Sequence, residues 1–181
     1  MERSCEGYTL VEAMTALAVV AVMASVSVPG LRGVADSARV TGATNDILAD
    51  LFLARSEAIK RRLRVVVCRS ADGASCAPAG RWEQGWIVFV DADGNGQRAP
   101  GEQLVRAQPA LPGGVRLSGT ATMAKYVSYA PTGAAKTVGG GFQAGTLTIC
   151  RASPDATPGR QIIISSSGRP RTQRVRLTSC S

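Results

Sequence analysis

Gly7-Tyr8-Thr9-Leu10-Val11-Glu12 is the stretch that decides how this chain is organised. A polar leader, residues 1–7, ends in glycine; one acid follows at Glu12; and residues 13–31 then carry no charge. A helix of roughly 20 apolar residues spans the hydrocarbon core of a bilayer, so the run predicts a membrane-crossing helix. Glu12 is out of place in such a segment, because a carboxylate at the bilayer centre costs about 2.5–3.5 kcal/mol. It is expected near the headgroups or opposite a cation. A secretory signal would use Ala24-Ser25-Val26-Ser27 as its cleavage region. The acids Glu2 and Glu6 in the leader, Glu12 itself and a helical pattern that continues past Leu31 argue against that.

Downstream, Pro29-Gly30 and Gly33 are expected to bend or locally melt the helix. Val40, Ala43, Ile47, Leu51, Ala54 and Ala58 then recur at spacings of three and four, while Arg39, Asp46, Asp50, Glu57 and Lys60 fall mostly off that stripe. Residues 32–62 therefore predict an amphipathic half-helix with one face in a core, and residues 8–31 a hydrophobic half that protrudes. After Lys60-Arg61-Arg62 the pattern changes to short β-branched runs punctuated by glycine and proline. These predict strands at residues 63–68, 85–90, 103–107, 115–118, 126–130, 146–150, 161–165 and 174–178. Short connections favour an antiparallel meander packed on the half-helix, an α+β fold with one β-rich globular domain over residues 63–181. Trp82, Trp86 and Phe89 read as core. The glycines at 139–141 and 145 read as a loop and not a phosphate cradle, since no helix pattern or Lys-Ser/Thr follows them.

The net charge of +8 is unevenly spread. Residues 111–181 contain Arg116, Lys125, Lys136, Arg151, Arg160, Arg169, Arg171, Arg174 and Arg176 against one acid, Asp155. Such a one-sided field favours polyanions. Of the cysteines, Cys5 lies in the leader, and Cys68, Cys76, Cys150 and Cys180 remain for a domain facing an oxidising compartment. Four cysteines allow three pairings. Cys68 with Cys76 as a local clasp and Cys150 with Cys180 as a pin for the tail is the favoured one, each bridge contributing roughly 3 kcal/mol. With no histidine, no C-x-x-C pair and no nucleophile beside a base, an enzyme is not expected, nor a cofactor.

The N-terminal stretch resembles the type III signal of type IV pilins and type II secretion pseudopilins. That resemblance implies cleavage by a prepilin peptidase between Gly7 and Tyr8, N-methylation of the Tyr8 amine, and an assembly role for Glu12 against the amine of a neighbouring subunit. Tyr8 stands where Phe is usual. Trp82-x-x-Gly85-Trp86-x-Val88-Phe89-x-Asp91, Asp93-Gly94-Asn95-Gly96, Gly101-Glu102, the glycine-rich approach to Cys150 and Ile163-x-x-Ser166-x-Gly168-Arg169 are similar to the family joining GspH-type pseudopilins with FimT-like minor pilins. It implies a type IV pilin fold, an inner-membrane single-pass precursor with a periplasmic domain, later a place in an extracellular pilus, and major and minor pilins as partners.

Gly168-Arg169-Pro170-Arg171 matches the G-R-x-R motif by which FimT-like minor pilins bind DNA in natural transformation. Guanidinium groups make bidentate, charge-assisted contacts with phosphates and need not read sequence. Pro170 is expected to stiffen the loop. Strand alternation puts Arg174 and Arg176 on one face, and a continuous stripe of Arg169, Arg171, Arg174 and Arg176 is expected, with Arg160 and Lys136 as possible extensions. The plainer account is a basic turn before a solvated strand. The alternative function is a GspH-type pseudopilin with no nucleic-acid role.

Asp91-x-Asp93-x-Asn95-Gly96-x5-Glu102 has the spacing of an EF-hand calcium loop. Strand-like residues precede it and Pro100-Gly101 would break an exiting helix, so a hairpin turn is the preferred reading. Asp91, Asp93, Asn95 and Glu102 stand as a calcium candidate only, and no metal site is assigned.

Overall fold

The computed structural model describes residues 9–180, without the side chains of residue 24 and residues 26–32. One helix, α1 (Leu10–Arg61), begins just after Thr9, whose hydroxyl accepts the Glu12 N–H at 3.3 Å. The helix continues through Pro29 and Gly30, so the expected local melting does not occur. A proline withholds one backbone donor, and the turns on either side keep their own bonds. The chain divides into two compact units at Ala38/Arg39. In the first, the apolar side chains of Leu10, Val11, Met14, Leu17, Val20 and Met23 are exposed. Among the described residues no helix is long and apolar enough to cross a membrane. Part of the uncharged run, residues 13–31, lies outside that description.

The second unit holds eight strands: β1 (Arg64–Arg69), β2 (Trp86–Asp91), β3 (Leu104–Gln108), β4 (Val115–Gly119), β5 (Tyr126–Tyr129), β6 (Gly145–Arg151), β7 (Thr157–Ile164) and β8 (Pro170–Leu177). All pairings are antiparallel. The expected single meander is not what forms. Two four-stranded sheets do, ordered β3-β2-β1-β5 and β4-β6-β7-β8. Each strand of a sheet turns about 20–25° from its neighbour, so eight in one sheet could not stay on one helix face. Two sheets of four can.

The helical stripe is as expected: Val40, Ala43, Ile47, Leu51, Ala54 and Ala58 are all buried. They share one core with Val65, Val67, Trp86 and Val88 of the first sheet and Leu117, Leu147, Ile149, Ile162 and Ile164 of the second. Val66, Cys68, Ile87 and Phe89 form a smaller cluster on the other face of the first sheet. Cys68 is bonded to Cys76 and Cys150 to Cys180, the favoured pairing. The second bond sits beside a pair of backbone hydrogen bonds between Ser153 and Cys180 that holds the tail along the end of β6.

Asp50 departs from expectation. Its charge suggests a place off the apolar stripe, yet it is 1% exposed, and its Oδ2 accepts the Trp86 Nε1–H at 2.8 Å. Arg106 of β3 stands 3.3 Å from Oδ1. Desolvation raises the Asp50 carboxyl above its ordinary 3.8, against the Trp86 N–H and Arg106, which lower it. Between the unfolded value and the raised native one, the native state holds more protons, so stability from this group falls as pH rises through that window. Asp50→Asn abolishes the titration. In urea denaturation the variant should gain on the wild type as pH is raised from about 4 to about 7. A difference independent of pH would mean that burying this carboxylate costs nothing.

Candidate nucleic-acid interface

The β7–β8 connection is a tight turn in which Ser165 O accepts the Gly168 N–H at 2.9 Å. Gly168 is buried with φ at +78°, and a Cβ there would collide with the Gly133 carbonyl oxygen. Ser166 O also accepts the Ala135 N–H at 3.2 Å. Gly133 is pressed in turn against helix residue Ile59, and Arg55 Nε donates to its carbonyl at 3.0 Å. The glycine of the Gly-Arg-x-Arg motif thus seats the turn on a second loop, and that loop on α1. Pro170 opens β8 buried, opposite Ile164. The first residue of an edge strand is a place where a missing N–H is tolerated.

Arg169, Arg171, Arg174 and Arg176 are all exposed. None makes an ion pair with another described residue. The continuous stripe does not form, because β8 starts at Pro170 and its alternation covers Arg171 as well. Thr172, Arg174 and Arg176 oppose Ile162, Arg160 and Pro158, on the sheet face that carries the core residues Ile162 and Ile164. Arg171 opposes Ile163 on the other face. The edge is therefore basic on both sides. Arg160 does extend the set, directly across from Arg174, while its NH2 donates to Thr41 Oγ1 at 3.1 Å. Lys136 instead lies over the Phe142 ring, 5.9 Å from its centroid.

The remaining site residues lie elsewhere. Glu12 is exposed in the first turn of α1, and Gly7 and Tyr8 fall outside the described residues. Asp91 ends β2, and the loop from there to β3 makes the expected hairpin. It gathers Asp91, Asp93 and Glu102, each with a carboxylate oxygen within 4.8 Å of the others. Desolvation raises the Asp91 carboxyl; the Gly96 N–H opposes this, Asp93 and Glu102 add to it, and Arg64 opposes it. Sequence reasoning missed the supporting residues Arg55 and Gly133. The only signal for Gly133 was the Pro131-Thr132-Gly133 turn composition.

The family described as Type II transport protein GspH matches residues 43–168. The chain belongs to the GspH family. Its fold is similar to the crystal structure of the type IV minor pilin FimU of Pseudomonas aeruginosa, at TM-score 0.60 and 20% identity, over 81% of this chain and 98% of that one. A second crystal form of FimU aligns at TM-score 0.55 and 20% identity, over 78% and 99%. The minor pseudopilin EpsH of the Vibrio cholerae type 2 secretion system aligns at 0.48 and 13% identity, over 77% and 97%. No curated protein matches the sequence at a significant level. The GspH-family chain thus has the type IV pilin fold, in a family of structural pilins and pseudopilins and not of enzymes.

The packing around Gly168 separates two roles within the motif. Gly168→Ala should lower stability by about 1–3 kcal/mol, from the positive φ and the collision together. Arg169→Ala should change it by less than about 0.5 kcal/mol. Thermal denaturation of the two variants checks this, and equal losses would contradict the division.

Proposed function

We propose that this GspH-family protein is a minor type IV pilin that binds DNA through phosphate contacts from Arg169 and Arg171, aided by Arg174 and Arg176, and so contributes to DNA uptake and pilus assembly. The observation that carries the reading is the unpaired arginine set on the β8 edge. Arg169 stands on the turn held by Gly168 and the other three on β8, so little backbone ordering is needed when a phosphate docks. Arg160 and Arg174 are directly opposed like charges, a placement that is unfavourable alone and relieved by an anion. The uncharged run at residues 13–31 supports anchoring in the inner membrane as a single-pass precursor, with the β domain in the periplasm and later in the pilus. The Gly7-Tyr8 bond is the proposed peptidase site, and Glu12 the residue that meets the amine of an adjacent pilin.

A second reading, a secretion pseudopilin with no nucleic-acid role, is favoured by the family's description as a type II transport protein. DNA binding separates the two. With the full chain in a non-ionic detergent, affinity for duplex DNA is measured against salt concentration. Removing one arginine–phosphate interaction should reduce the slope of log K against log salt by about 0.9. Arg169→Ala with Arg171→Ala should therefore flatten the slope by roughly 2 and weaken binding at least about tenfold. Arg174→Ala with Arg176→Ala tests the opposite face of the same edge. If neither pair changes affinity or slope, the pseudopilin reading stands.

A further inference from the structure

The acidic loop between β2 and β3 has no part in the function proposed above, and its chemistry is of another kind. Asp91, Asp93, Asn95, Gly96 and Glu102 hold the first, third, fifth, sixth and twelfth positions of a loop twelve residues long. In calcium loops of that length those positions supply side-chain oxygens, with a glycine at the sixth and a bidentate acid at the last. Here the chain already makes the required turn. Gly94 and Gly96 both have φ at +75°, and the Gly96 N–H donates to Asp91 Oδ2 at 3.1 Å. Asp91, Asp93 and Glu102 converge so that one oxygen from each lies within 4.8 Å of the other two.

A second, independent observation points to an ion. The Asp91 side chain is fully buried, and its Oδ1 has no hydrogen-bond partner. A buried carboxylate oxygen without a partner is costly. The neighbouring arginine does not supply one. Arg64 approaches only Oδ2, at 3.9 Å, and its NH1 is spent on Ser128 Oγ and the Thr137 carbonyl, each at 3.0 Å. Glu102 meanwhile accepts the Ala92 and Ala99 N–H groups at 2.8 and 3.0 Å, which holds the twelfth position over the first. Three carboxylates converge with one Asp91 oxygen orphaned, while Arg64 pairs only with the other oxygen and from 3.9 Å.

We propose that the β2–β3 loop, residues 91–102, is a calcium site. Asp91, Asp93, Asn95 and Glu102 offer side-chain oxygens, and the Gln97 carbonyl sits at the seventh position, where such loops use the main chain. Hard oxygen donors without nitrogen or sulfur suit Ca²⁺, and a ligand set from a glycine-containing loop suits it better than Mg²⁺, which demands near-ideal octahedral geometry. The bound ion would tie the end of β2 to the start of β3. The loop also abuts the first disulfide, since the Gly96 carbonyl lies 3.9 Å from Cys76 Sγ.

The test uses the full chain in non-ionic detergent, stripped with EGTA and titrated with CaCl2 alone. Extracellular calcium modules bind with Kd on the order of 10⁻⁴–10⁻³ M, so calorimetry should show saturable binding in that range and about 10 mM Ca²⁺ should raise Tm by several degrees. Asp93→Asn with Glu102→Gln, both at accessible positions, should abolish the heat and the Tm rise. Asn95→Ala is the second variant and should weaken binding, read as a smaller Ca²⁺-induced rise measured from its own metal-free Tm. Absence of binding to the wild type, or an undiminished response in both variants, would overturn the site. An equal rise with MgCl2 would overturn the choice of calcium.

Discussion

The hydrogen bond from Trp86 to Asp50 is the contact that fixes how the helix lies on the sheets. The apolar stripe of α1 is repetitive, with alanines at 43, 54 and 58 and larger side chains only at 40, 47 and 51. Packing of that kind tolerates a shift by one turn at modest cost, since ridges and grooves repeat along a helix. A buried carboxylate does not. At any other register Asp50 would be left charged in a core without its indole partner, and the Trp86 N–H would be orphaned with it, at about 1–3 kcal/mol for each unsatisfied group. Burial raises the Asp50 carboxyl in spite of the Trp86 N–H, which lowers it, and the bond excludes alternatives.

Registration of the helix then reaches the arginine edge through a short series of contacts. Arg55 and Ile59 lie roughly one and a half and two and a half turns beyond Asp50, and both touch Gly133. Gly133 meets Gly168, and Arg169 follows. The basic turn therefore does not hang from a loose hairpin. It is positioned by the same stretch of α1 that Trp86 holds in register.

Much of this was legible in the residues. The helical stripe could be read because α1 has one buried face, and strands β1 to β6 because each is a β-branched or aromatic run ended by glycine, proline or polar turns. Sheet membership was not legible, because β4 and β5 exchange partners by long-range pairing that no local pattern records. The starts of β7 and β8 were missed for a definite reason. Thr157-Pro158-Gly159 and Pro170-Arg171-Thr172 contain residues that normally end strands, yet they pair in full register. That error moved Arg171 onto the wrong face. Charge alone puts Asp50 on the polar side, although its spacing from Ile47 and Ala54 puts it on the stripe.

Guarding an exposed edge is the plainer role for the arginines of β8. Charged residues on an outer strand discourage pairing with another chain, and β8 is such a strand. The choice of arginine over lysine says nothing by itself, since 18 of the 21 basic residues in the chain are arginine. The position of Arg160 says more. Guarding an edge needs charge on the outermost strand alone, yet Arg160 sits on β7, directly opposite Arg174, with a single acid in the whole of residues 111–181 to offset either. Opposed like charges weaken a strand pair. On the proposed reading an anion shared between the two strands turns that cost into a binding interaction, while the Arg160 bond to Thr41 Oγ1 ties the same side chain to α1.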